Sequence, residues 1–275
     1  MVSSFAATNI GFSHIASGRP CQDYSLCKDT EEYSVAVVCD GHGGERYFRS
    51  EVGSRMAAEA AMEMLEDFLS NTKFLAEMPA DKHWQTQLAG SIVVRWNEKI
   101  SDYTNETPFT DEECSNLSDN DKRRISSSEW QFAYGTTLIC VVVTKSAFMG
   151  FQIGDGKCVA FDVEGNCSEP IPWDDDCFLN STTSLCDTNA VNRFRFSYLR
   201  RDNISFPNAV FIGSDGVDDS YPGESLYEFY KVLLREMLND KDATLDNMKS
   251  YLPQISEKGS KDDISIAGII NDGKI

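Results

Sequence analysis

The stretch Tyr33-Ser-Val-Ala-Val-Val-Cys-Asp40-Gly41-His42-Gly43-Gly44 decides the reading of this chain. An apolar strand runs straight into an acid, a histidine and three glycines. That combination suits a carboxylate held at a strand end, beside backbone compact enough for a metal and a phosphate to approach. Two further acid clusters recur far downstream, Ser214-Asp215-Gly216-Val217-Asp218-Asp219 and Lys261-Asp262-Asp263-Ile264-Ser265. A hydrolase built around divalent cations is the first expectation.

Outward from the glycines, Phe48, Val52, Met56, Ala60, Met64 and Phe68 recur every fourth residue and predict one stripe of a long helix. Leu88, Ile92, Trp96 and Ile100 predict a second. Upstream, a strand is expected near Phe5 to Phe12, followed by a loop through Ser17-Gly18-Arg19-Pro20. Residues 104 to 129 are polar and acidic and read as a long surface loop without function. Strands Gly135 to Val143, Ala147 to Ile153 and Lys157 to Asp162 read as a meander of hairpins. Residues 167 to 208 read as an irregular excursion over the sheet edge, in the manner of a flap. A strand Ala209 to Ser214 follows, then a helix with Leu226, Phe229, Leu233 and Met237 on one face. A shorter helix around Leu245 to Leu252 and a closing strand Ile264 to Ile270 complete the chain. Helices after the first strands and before the last predict a layered arrangement, with helices outside paired sheets.

The 275 residues contain no Pro/Ser/Gly-rich linker, so a single domain over 1–275 is expected. A formal charge of −19, from 44 acidic and 25 basic residues, argues against nucleic acid as a partner. Nine cysteines form an odd set without a CxxC pair, several inside apolar strands, which fits a reduced cytoplasmic setting. The N-terminus lacks a basic n-region, and no run approaches a membrane span, so a soluble, unprocessed protein is expected, with a monomer favoured.

Each acid cluster has one grammar: an apolar β-rich run, an acid, then a glycine or turn. That grammar puts Asp40, Asp155, Asp215 and Asp262 at the rim of a sheet. A lone Asp-Gly after a strand is ordinarily a turn, and Asp218 and Asp219 also suit the turn before a helix at Glu224. Four such acids converging is another matter. Two unit charges about 4 Å apart repel by roughly 4 kcal/mol at an effective dielectric near 20, a conflict that Mg²⁺ or Mn²⁺ with all-oxygen shells removes. His42, between Gly41 and Gly43, is the histidine expected beside that centre. P-loop, nucleophile-elbow and H-E-x-x-H signatures are absent.

Taken together, the motifs resemble the metal-dependent serine/threonine protein phosphatases of the type 2C family, in a compact bacterial-like form. The likeness rests on Gln22-Asp23, Asp40-Gly-His-Gly-Gly44, Tyr134-Gly-Thr-Thr137, Gly154-Asp155-Gly156, Ser214-Asp-Gly216 with Asp219, and Asp262-Asp-Ile-Ser265, in that order. It implies an α+β fold, a four-layer α-β-β-α sandwich of two antiparallel sheets flanked by helices. It also implies two Mg²⁺ or Mn²⁺ ions per chain. By the same resemblance Asp40 bridges both ions, the Gly41 carbonyl binds one, Asp215 with Asp262 holds the other, and Asp23 acts through water. Asp155 and Asp219, with Asp215, match the place of a weaker third ion. The implied reaction is attack of a metal-bridging hydroxide on a phosphoserine or phosphothreonine of a phosphoprotein substrate, with His42 as proton donor. Arg19 is the nearest match to the arginine that holds the phosphate; the usual Asp-Asn near the C-terminus is here Asp262-Asp263. A catalytically silent binding domain and a hydrolase of small phosphoesters are the alternatives.

Overall fold

The computed structural model describes residues 2–70, 83–178 and 181–271. Two five-stranded antiparallel sheets face each other. One has the order β1 (Val2–Asn9), β10 (Ile264–Asn271), β9 (Ala209–Gly213), β6 (Lys157–Phe161) and β7 (Cys167–Ser168). The other has the order β2 (Tyr24–Asp29), β3 (Tyr33–Cys39), β4 (Leu138–Thr144), β5 (Ala147–Ile153) and β8 (Arg195–Arg200).

The period of two along each strand builds the layers. On β3, Val35, Val37 and Cys39 join the core under the helices α2 (Ser50–Ser70) and α3 (His83–Glu106), while Ala36 and Val38 face the other sheet. On β10, Ile264, Ile266 and Ile270 meet α7 (Glu224–Asn239) and α8 (Lys241–Lys258), while Ala267 and Ile269 meet the facing sheet. A strand buried on both faces must be apolar throughout, which explains the unbroken run before Asp40. The result is the α+β four-layer α-β-β-α sandwich.

Several expectations change in detail. The first strand ends at Asn9, and Phe12–Ser17 form a short helix, α1. β2 was not foreseen. On α2, Val52 and Ala60 are buried, but Met56, Met64 and Phe68 are only partly so. Ala57, Ala58, Ala61 and Leu65 turn inward instead, because the helix lies between a sheet and α3 and small side chains permit the close approach. Leu88, Ile92, Trp96 and Ile100 are all buried on α3 as expected.

Residues 104–129 are not a loop. α3 runs on to Glu106, and two capped helices follow, α4 (Asp111–Cys114) and α5 (Asp119–Ser126). Thr110 and Glu113 form a capping box, and Ser118 accepts from the Asp121 backbone N–H. The meander also breaks: β4 and β5 pair, but β6 crosses to the opposite sheet and pairs with β9. The 167–208 excursion contributes β7, a 3₁₀ turn at Ala190–Arg193, and β8 on the edge of the second sheet; its residues 179 and 180 lie outside the described residues.

α8 continues past Pro253, where helices commonly stop, to Lys258. Its last turn is held by tertiary bonds. Ser256 Oγ accepts from the Phe12 N–H at 2.8 Å and donates to the Asp262 carbonyl at 2.8 Å. All nine cysteines are unpaired. Among the described residues, no helix is long and apolar enough to cross a membrane.

Candidate metal centre

Asp40 leaves β3 pinned on its backbone. Its N–H donates to Thr137 Oγ1 at 3.1 Å, and its carbonyl accepts from the Thr137 N–H at 2.8 Å and from Thr136 Oγ1 at 2.9 Å. Gly41 forms a bridge with Thr136, and a Cβ there would run into the carbonyl oxygens of Gln22 and Ser50. Only glycine fits that close approach. His42 donates its N–H to the Gly135 carbonyl at 3.0 Å, and its ring meets Tyr47 edge-on at 4.9 Å.

The other acids arrive on different elements at the same end of the sandwich. Asp23 precedes β2, and Asp155 sits in the turn between the sheets that Gly154 makes at φ +108°. Asp215 opens the one-turn helix α6 (Asp215–Asp218) after β9. Ser214 ties that turn to β10 by two bonds with Ser265, each 3.0 Å. Asp262 stands just before β10.

One cleft of about 990 Å³ is lined by Asp23, Asp40, Gly41, His42, Asp155, Asp215, Asp219 and Asp262. Arg19 lines it too, as an exposed residue. Asp23 and Asp262, 239 positions apart in the chain, thus line one cleft.

The cleft is electrostatically costly without counter-charge. Burial, then the neighbouring Asp263, pushes Asp23 well above the usual carboxylate range, and its Oδ2 has no hydrogen-bond partner. Burial, then Asp215 and Asp23, does the same to Asp40, which shares a hydrogen bond with Asp215. Asp215 is pushed up to about 6, chiefly by burial. Asp218 is pushed up to about 8, by burial and then by Asp215. An orphaned oxygen on the buried Asp23, in a cleft it shares with half-buried and exposed carboxylates, fits hard cations with oxygen shells. His42 goes the other way, lowered to about 4 by burial and by Arg46.

These shifts set a pH dependence for the chelated protein. A carboxyl raised in the folded state contributes stability that is complete below its unfolded pKa, near 4, and is lost as pH rises through the folded value. For Asp215 and Asp218 that loss occurs through about 6 and about 8. His42, lowered, loses its contribution only as pH falls from its unfolded value toward about 4. Between pH 8.5 and 6.5 the carboxyls therefore act without His42 opposing them. The melting temperature in chelator is expected to rise on acidification across that window, by an amount of order 1 kcal/mol in stability. A flat or falling melting temperature would contradict the buried-acid assignment.

Some of the cleft was not legible in the sequence. His14 lines it as well as His42, so His42 is not the one histidine in place. Asp263, buried, accepts from the Gly11 and Gln22 N–H groups at 2.6 Å each and from His14 Nδ1 at 3.0 Å. Part of the lining comes from the 167–208 excursion, through Trp173, Cys177, Ser181, Thr182 and Ser184. Thr182 hydrogen-bonds Asp155, and Thr183 Oγ1 accepts from the Gly154 N–H at 3.0 Å. Glu113 of α4 holds the side chain of Arg49, which also reaches Tyr134 Oη.

A family model described as protein phosphatase 2C matches residues 10–255. Among solved structures, the serine/threonine phosphatase Stp1 from Staphylococcus aureus superposes with a TM-score of 0.59 at 17% identity, covering 99% of this chain and 96% of that one. The S. agalactiae serine/threonine phosphatase gives 0.58 at 15% identity, over 98% and 99% of the two chains. The catalytic domain of the phosphatase PstP, solved in complex with two manganese ions, gives 0.57 at 13% identity, over 98% and 97%. No curated protein matches the chain by sequence.

Proposed function

The chain belongs to the protein phosphatase 2C family, and on that premise we propose that it hydrolyses phosphoserine and phosphothreonine in protein substrates, acting as one catalytic domain over 1–275. The observation that carries this reading is the meeting of Asp23, Asp40, Asp215 and Asp262 in one cleft, with an unpartnered buried carboxylate oxygen among them. Asp40, the Gly41 carbonyl, Asp215 and Asp262 would hold two Mg²⁺ or Mn²⁺ ions, with Asp23 contributing through water and Asp155 and Asp219 holding a third more weakly. When bound, such ions would lower the pKa of water to give a nucleophile at neutral pH and would offset the charge developing on the phosphoryl oxygens.

The chain's own groups do the rest. His42 stands at the cleft with its ring braced on Tyr47 and serves as the acid that protonates the departing serine or threonine oxygen. Burial and the nearby Arg46 lower its pKa to about 4. The negative charge of an incoming phosphoester would favour the protonated ring, against burial and the charge of the cations. Arg19, exposed in the lining of the cleft, would meet phosphate oxygens as they enter. Trp173, Ser181, Thr182 and Ser184 also line the cleft.

Purified protein with excess Mn²⁺ is expected to release orthophosphate from a phosphothreonine peptide and to stop on chelation. Faster turnover of small phosphoesters than of any phosphopeptide would favour the small-molecule reading. Metal binding without turnover of either substrate would indicate a silent scaffold.

A further inference from the structure

His14 occupies a place that the acid set leaves unexplained. α1 is fastened to the segment carrying Asp262: the Ser13 N–H donates to the Lys261 carbonyl at 2.9 Å, Ser13 Oγ donates to the same oxygen at 2.8 Å, and the Phe12 N–H reaches Ser256 Oγ. His14 therefore cannot swing away as a surface side chain would, and it is 8% exposed. Its Nδ1 lies 3.0 Å from both oxygens of Asp263. A carboxylate accepts and does not donate, so the ring proton sits on Nδ1. The other ring nitrogen, Nε2, lies 3.9 Å from Asp262 Oδ1 in the lining of the cleft.

Asp263 has no capacity left for an ion, because its oxygens also take the Gly11 and Gln22 N–H groups at 2.6 Å. It acts as a positioning residue. A carboxylate that receives one ring N–H and thereby aims the other nitrogen is the arrangement by which proteins orient metal-binding histidines. One side-chain donor atom from each of His14, Asp262 and Asp263 lies within 4.8 Å of the other two.

We infer that His14 Nε2 is a nitrogen ligand to the cation held by Asp262, with Asp263 fixing its tautomer and aim. The inference rests on the cation pair proposed above. One imidazole in an otherwise oxygen shell favours Mn²⁺, and transition ions generally, over Mg²⁺, which prefers oxygen and water.

The test is pulsed electron paramagnetic resonance on full-length, metal-free protein, titrated with Mn²⁺ from below one equivalent to saturation. The expected result is electron spin-echo modulation from a directly bound imidazole nitrogen, altered when histidine is ¹⁵N-labelled and lost in His14→Gln. It should persist in His42→Gln. The chain has three histidines, and His83 does not line the cleft, so the His42→Gln spectrum assigns the nitrogen even if His14→Gln fails to fold. Calorimetry should show His14→Gln and Asp263→Asn weakening Mn²⁺ binding by about tenfold or more, with a smaller change for Mg²⁺. Absence of histidine modulation in the wild type, its persistence in His14→Gln, or equal loss of both ions would overturn the inference. None of these readouts uses turnover. An inactive protein that keeps the nitrogen signal would sink only the phosphatase reading, and an active one without it only the role of His14.

Discussion

Asp40→Asn is expected to abolish metal-dependent phosphate release while raising the melting temperature of the chelated protein. The two effects have one source. Asp40 is half-buried, shares a hydrogen bond with Asp215, and is raised well above the ordinary carboxylate range by desolvation and by Asp215 and Asp23. In the absence of cations the folded chain carries that cost; asparagine has the same shape and no charge to bury. Loss of even an outer-shell partner of a bound metal costs about 10–100-fold, so removal of Asp40, proposed as a direct ligand, should exceed a hundredfold. On the stability side, each kcal/mol relieved is worth about 2–4 °C for a chain of this size. Phosphate release with saturating Mn²⁺ and thermal unfolding in chelator measure the two arms. A variant that is both active and no more stable would show that Asp40 is an ordinary turn residue.

Arg49→Met is expected to cost about 3–5 kcal/mol of stability, because it leaves the partners of a buried cation unpaired. Arg49 is 4% exposed. It makes paired contacts with Glu113 at 2.7 and 3.0 Å, donates to the Thr107 and Pro108 carbonyls at 2.7 and 3.1 Å, and reaches Tyr134 Oη at 2.9 Å. The guanidinium also lies over the Phe109 ring at 4.6 Å. Its own N–H donates to the Ala133 carbonyl at 2.9 Å. Through that set it fastens the 104–114 segment to Trp130–Tyr134, the turn leading into the Thr136 and Thr137 bonds that pin Asp40. Lys249→Met, which removes an exposed pair with Asp246, should shift stability by no more than about 0.5 kcal/mol. Denaturant unfolding of both variants makes the comparison, and a small equal shift would refute the role given to Arg49.

The capping box at Thr110 and Glu113 is visible in the sequence, yet the polar composition of 104–129 outweighs it when the segment is read alone. Helices this short draw their stability from tertiary anchors such as Arg49, and those anchors are separated from them by about sixty positions. The same holds for β2 and β8. Each has partly buried or exposed residues throughout, because it forms an edge of its sheet, and edge strands carry a weak apolar signal. The helix α3 and the central strands were plain for the opposite reason. A stripe or run buried on its full length leaves little freedom in residue type.

The sequence by itself determined the local grammar of this protein: apolar strands that end in Asp40 and Asp215, the turn carrying Asp155, and the acids before the last strand. Strand period and turn chemistry act over a few residues, so they survive in a linear reading. Only the tertiary structure decided that β6 leaves its neighbour for the opposite sheet, that the excursion walls the cleft, and that His14 meets Asp263 across 249 positions. Those outcomes depend on packing and on hydrogen bonds between groups distant in the chain, whose energies have no counterpart in the spacing of neighbouring residues.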